Sequence, residues 1–268
     1  MTRLAAFLRK DLLVAASYRL YFVGQLIGVA ASLLTLWFLS RLFQASPPAF
    51  VARYGSADYF AFAVVGMALL DFMWVALGSF SLRLRELQVL GTLEAILATP
   101  ASAEGVVFAA TAYAFLWSSL RTVIYLGAAH LVFADLLSHT AWGAALVVWL
   151  LAIAVFTALG LFAAGITLLV KAPTPITGWF GGAFFLFGGV LYPVEVLPAP
   201  LDAIARWIPM TLATTGLRRA FLSGAGLGDV ATEVVGLALY AAVLIPAAVV
   251  FLRWAFRRLR AEGSIGLH

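Results

Sequence analysis

Apolar residues run in long blocks along the chain, and short stretches rich in charge, proline or glycine separate the blocks. A helix needs about 20 mostly apolar residues to cross a hydrocarbon layer about 30 Å thick. Blocks near that size lie at residues 21–43, 59–82, 105–133, 141–169, 176–192 and 230–251. They predict an all-α membrane protein with six transmembrane helices in a single domain over residues 1–268. Pro47, Pro48 and Arg53 separate the first two blocks, and Lys171, Pro173 and Pro175 separate the fourth from the fifth. Proline cannot donate to the helical ladder and its ring blocks the preceding turn, so both stretches read as loops.

Between the blocks the pattern changes. In residues 1–20, Leu4, Phe7, Leu8, Leu12 and Ala15 recur at helical spacing while Arg3, Lys10 and Ser17 take another side. An amphipathic helix lying in the membrane interface has this pattern, and so has a cytoplasmic helix packed on protein. Arg3, Arg9, Lys10, Asp11 and Arg19 interrupt every apolar run there, which argues against a cleavable signal peptide. The segment RLRELQVLGTLEAILATPAS at residues 83–102 sets Leu84, Leu87, Leu90, Leu93, Ile96 and Leu97 three or four apart among charges. It predicts a short amphipathic helix ended by Pro100 that offers one side to a soluble partner; an ordinary interfacial loop helix has the same pattern. Residues 193–229 are half polar, and Pro193, Pro198, Pro200 and Pro209 cut them into pieces too short to cross. Irregular backbone at membrane depth is tolerated only against protein or a wet cavity. These pieces are therefore expected to dip in and return as an outer re-entrant helical hairpin that caps the bundle, the alternative being a plain loop.

Composition agrees with the blocks: 64% of the 268 residues are hydrophobic and 11% charged, against about half and about a quarter in a soluble domain. The formal charge of +5 does not point to nucleic acid, because the basic residues flank apolar spans instead of clustering on a soluble face. They orient the bundle. Arg3, Arg9, Lys10, Arg19, Arg83, Arg85, Lys171, Arg253, Arg257, Arg258 and Arg260 fall on one face and outnumber Arg41, Arg53, Arg206, Arg218 and Arg219 on the other. Basic loops near span ends stay cytoplasmic, so both termini and residues 83–102 are expected in the cytoplasm and residues 193–229 outside.

Few polar groups lie within the spans. Asp71 and Arg121 sit near the middle of two antiparallel blocks, and equal depth permits an ion pair. Such a pair fixes helix packing, or serves as a proton relay or ligand site. Gly24, Gly28 and Ser32 fall four apart in the first block, and Gly178 and Gly182 repeat the spacing in the fifth. Small residues so spaced let helices approach closely, at a seam between two chains or within one. Phe180, Phe184, Phe185, Phe187 and Tyr192 crowd the fifth block and either line a path for an amphipathic substrate or face lipid. His130, His139 and His268 show no metal-ligand spacing, cysteine is absent, and no Gly-x-Ser-x-Gly turn occurs. No catalytic, metal or cofactor site is expected on the chain.

Two motifs resemble those of the type-2 ABC exporter permeases. GTLEAILATPAS at residues 91–102 is similar to that family's coupling-helix region. GGVLYPVEVLP at residues 188–198, followed by IPMTLATTGLRRAF at 208–221, is similar to its signature around the fifth span. With the six blocks and the amino-terminal amphipathic helix, the resemblance covers nearly the whole chain. It implies a multi-pass subunit of the plasma or inner membrane, paired with a second copy as a homodimer and with two copies of an ABC ATP-binding subunit. It further implies that Gly91, Leu93, Glu94, Ile96, Leu97 and Pro100 couple to the ATPase. The first and fifth spans, with Gly24, Gly28, Ser32, Gly178, Gly182, Phe184, Phe187 and Tyr192, would line the dimer seam and path, beneath the hairpin as a gate. Larger members carry their own nucleotide-binding domain. A P-loop needs Gly-Lys followed by Ser or Thr, whereas the only lysines here, Lys10 and Lys171, follow Arg9 and Val170. ATP and Mg are therefore expected on the partner.

The function expected is outward movement of a hydrophobic or amphipathic compound such as a drug or lipid-like molecule. Beyond Gln25, Thr35 and Arg121 the spans offer little hydrogen bonding for a polyanionic glycan. Export of a glycan or glycolipid is the alternative within the class. From other classes the rivals are a channel or scaffold without an ATPase, then a membrane enzyme.

Overall fold

A computed structural model describes residues 13, 19–42, 59–91, 103–132, 140–170 and 175–262. Their regular structure is eight α-helices and one 3-10 turn: α1 (Arg19–Leu42), α2 (Tyr59–Val89), α3 (Ala103–Val132), α4 (Trp142–Val170), α5 (Pro175–Phe187), the turn Val194–Val196, α6 (Ala199–Ala205), α7 (Pro209–Leu222) and α8 (Ala231–Glu262). Among the described residues four helices are long and apolar enough to cross a membrane, Val23–Leu42, Tyr59–Val89, Trp142–Val170 and Ala231–Leu259. The helix α3 adds 30 residues. The helix α5 has only 13, about 20 Å at 1.5 Å per residue.

The helix α2 is apolar around its whole circumference, as a helix enclosed by others must be. Of its most apolar stretch 78% is buried, against 44% in α4, 17% in α8 and 11% in α1. It touches α1, α3, α4, α5 and α7, while α4 lies between α2 and α8. Small residues set these approaches. A Cβ at Gly160 on α4 would overlap the Ala76 carbonyl of α2, and one at Gly165 would overlap the Phe251 ring of α8. The three backbones therefore run as close as they do because those positions lack side chains. Phe72, Met73, Val148, Val155 and Phe156 fill the space between. Pro246 sits inside α8 without ending it, as proline does in membrane helices whose freed carbonyls find other partners.

Three boundaries differ from the sequence expectation. Residues 83–89 are not the start of a separate amphipathic helix but the last turns of α2, because Leu84 is fully buried with Phe80, Leu161, Leu252 and Phe256 and continues the core. That helix stops at Gly91, whose φ of 65° suits the left-handed residue after a helix end. The fifth apolar block does not stay helical to Tyr192; α5 stops at Phe187, where Gly188 and Gly189 turn the chain and Gly189 takes φ 64°. At the other end α8 runs on into the basic tail to Glu262. Leu252, Ala255, Phe256 and Leu259 keep it on the core while Arg253, Arg257 and Arg258 stay exposed. The expected interfacial helix at residues 1–20 and the coupling residues Leu93, Glu94, Ile96, Leu97 and Pro100 lie outside the described residues, apart from isolated positions in the first segment.

Candidate functional site

The two halves of the second motif meet. Helix α5 leaves its last carbonyls without partners in the ladder, as every helix does, and the turn that follows adds more. Five consecutive main-chain oxygens, from Phe187 to Leu191, are each taken by a side chain. Thr211 Oγ1 donates to Phe187 O at 3.2 Å and Thr214 Oγ1 to Gly188 O at 3.1 Å. Arg218 Nη1 donates to Gly189 O at 2.5 Å and Nη2 to Val190 O at 2.6 Å. The Tyr59 hydroxyl donates to Leu191 O at 2.7 Å. Thr211, Thr214 and Arg218 are three and four residues apart and so share one face of α7, while Tyr59 begins α2.

Arg218 is 1% exposed, the largest side chain so deeply buried. Its Nε donates to Phe62 O at 3.1 Å and its guanidinium stacks 3.3 Å from the Phe62 ring centroid. A desolvated cation is costly, and three carbonyls, an aromatic face and the negative end of α5 all offset that cost. Gly66 makes the room: a Cβ there would overlap both the Val190 carbonyl and the Arg218 guanidinium. Arg218, counted from the sequence among the basic residues that orient the bundle, is thus enclosed by protein. Arg219 pairs with buried Glu233 of α8 at 3.0 Å, and Arg206 pairs with Asp202 at 2.8 Å on the exposed surface of α6. The Tyr240 hydroxyl of α8 donates to Trp207 O at 2.7 Å, and Ala141 N ahead of α4 donates to Ala220 O at 3.0 Å. Residues 188–222 are thereby tied to α2, α4 and α8.

Asp71 and Arg121 are brought together: Nη2 lies 3.0 Å from Oδ2, with side chains 16% exposed for Arg121 and 23% for Asp71. Ser118 Oγ is 3.5 Å from the same oxygen. Nearby, α1 is tied to α3 by Trp117 Nε1 donating to Gln25.

The residues expected at a seam divide. Gly24 and Gly28 on α1 and Gly178 and Gly182 on α5 have no heavy atom of the described residues beyond their own helix within 4 Å. The Ser32 hydroxyl donates within its own helix, to Gly28 O at 3.0 Å. Phe184 is buried and packs 6.5 Å from Phe156 in the core, where Gly181 beside it seats the Trp74 ring and draws that face of α5 onto α2. Phe187 is half-buried, and the hydroxyl of half-buried Tyr192 donates to the Leu186 carbonyl. Gly91 is exposed at the end of α2. Among the described residues no cluster of His, Asp or Glu is placed to hold a metal.

Sequence reasoning missed Thr211, Thr214, Gly66 and the role of Arg218. A signal was present, a Thr-x-x-Thr-x-x-x-Arg spacing that sets Thr211, Thr214 and Arg218 on one face of α7. Gly66 carries none, since its partner lies far away along the chain. No curated protein matches this chain. The family model of the ABC-2 type transporter matches residues 3–222, a stretch that takes in α1 to α7 and the whole carbonyl clasp. The chain therefore belongs to the ABC-2 type transporter family, as a multi-pass membrane permease.

Proposed function

We propose that the chain is the membrane-spanning subunit of an exporter that moves a hydrophobic or amphipathic compound outward, with ATP hydrolysed on a separate ABC subunit. In this reading α1, α2, α3, α4, α5 and α8 are six spans, both termini are cytoplasmic, and residues 188–229 cap the bundle on the outside. The observation that supports it is the bare glycine face on each of α1 and α5. Two helices stand with small residues turned away from their own bundle, as a second copy of the chain would need for close approach. Exposed Trp179 and Phe185 flank the glycines of α5, so this side of the helix offers an aromatic wall for an apolar cargo. Residues 92–102 would seat in the ATPase. The test is to purify the tagged chain with its native neighbours and measure which compounds stimulate ATP turnover. Recovery of an ATPase stimulated by amphipathic compounds supports the reading, and stimulation only by glycans would replace the cargo. A purified chain that brings no ATPase would favour a channel or scaffold.

A further inference from the structure

Helices α3 and α4 both pack on α2 and leave a slot between them. Val65 of α2 and Leu217 of α7 form its floor, Val123 and Leu126 one wall, Leu146 and Trp149 the other. The slot holds about 250 Å³, less than the roughly 300–1,000 Å³ of pockets that enclose drug-sized ligands. From Trp142 to Trp149 it follows α4 for about 10 Å. Its polar lining is two hydroxyls, Ser119 and Thr122, and that of Thr122 is already committed to Ser118 O at 3.1 Å. Val123, Trp142 and Leu146 of the lining are exposed, and the lining holds no charged residue. In a multi-pass membrane protein such a flank meets hydrocarbon.

We propose that this slot binds one acyl chain of a bilayer phospholipid, held as a resident lipid and not as cargo. A slender unbranched chain fits a narrow apolar slot that a bulky fused-ring compound does not, and the absence of charge in the lining leaves the headgroup unselected. The proposal needs only the membrane location that the family gives and stands apart from the exporter reading.

The slot contains its own reporter in Trp149, half-buried in the wall. The full chain, purified in detergent and stripped of lipid, is titrated with a phospholipid brominated on its acyl chains. The fluorescence lost relative to Trp149→Phe isolates that side chain from the other tryptophans. Quenching of Trp149 should saturate at one lipid per chain, and native mass spectrometry should find one phospholipid retained. Ser119→Phe, or Val123→Phe from the exposed lip if the first variant folds poorly, should weaken saturation at least tenfold. Quenching that rises in proportion to lipid without saturating, or an unchanged affinity in the filled variant, would overturn the site. Stronger displacement by a fused-ring hydrophobic compound than by unlabelled phospholipid would overturn the choice of occupant. Release of the bound lipid on ATP turnover in the assembled transporter would overturn its residency.

Discussion

Single residues decide whether the cap is a rigid piece. Arg218 satisfies three carbonyls in a site closed to water, so Arg218→Met should leave buried acceptors unmet at about 1–3 kcal/mol each. The expected outcome is a loss of several kcal/mol in detergent unfolding, together with faster proteolysis within residues 188–222. Arg218→Lys should recover only part, since an ammonium cannot reach three acceptors in the guanidinium's fixed fork. Gly66→Ala is the complementary test, because its methyl would displace the same guanidinium; stability equal to the parent protein would show that the close approach is not needed. Asp71 and Arg121 are a different case, a pair that retains some exposure. Replacing either with leucine should cost about 2–3 kcal/mol, below the roughly 3–5 for breaking a fully buried pair. Replacing both should cost less than the sum, and additive losses would show that the two charges do not interact.

At the scale of helices, α1 and α5 are held unlike the rest. The helix α1 is barely buried and touches α2 and α3 through Val29, Leu36 and the hydrogen bond from Trp117 to Gln25, and α5 rests on α2 through Gly181 and Phe184. A Cβ built at 24, 28, 178 or 182 meets no heavy atom of the described residues within 4 Å, so in the proposed dimer Gly28→Leu or Gly182→Leu should leave the fold intact and abolish association of two chains. Sedimentation in detergent together with unfolding midpoints separates the two effects, and a dimer that survives both substitutions would remove the seam from these faces. Much of this element layout was legible from hydrophobic blocks alone, because a span's length is dictated by the bilayer. The helix ends were less legible. Leu84 prolongs α2 by its burial in an apolar cluster shared with α4 and α8, which no local pattern reveals, and the glycines that end α5 act through a turn whose five carbonyls are answered by residues 59, 211, 214 and 218. An aromatic block likewise cannot tell that Phe184 faces inward while Phe180 and Phe185 face out.

For the whole molecule, the outstanding question is how work done on ATP in a partner reaches a bundle this tightly packed. Residues 83–89 now belong to α2, the helix touched by five others, and Leu84 locks that end into the core of α4 and α8. A push delivered at residues 92–102 would therefore arrive at the base of the central helix and not on a loose loop. Along α2 it would reach Gly66 and Tyr59, where the Arg218 clasp joins this helix to the cap at the opposite end. In the proposed reading, with Leu93 as the apolar anchor of docking, Leu93→Asp should break that contact, since buried apolar contacts dominate such interfaces and rim charges contribute little. It should reduce co-purification of the ATPase by tenfold or more while the permease stays folded. Glu94→Ala, at the rim, should keep the partner bound and lower transport per ATP hydrolysed. The two are distinguished by measuring partner retention and compound-stimulated turnover in liposomes side by side. Full retention with normal turnover in the Leu93→Asp protein would mean that force enters elsewhere, and that the end of α2 is not the input of this transporter.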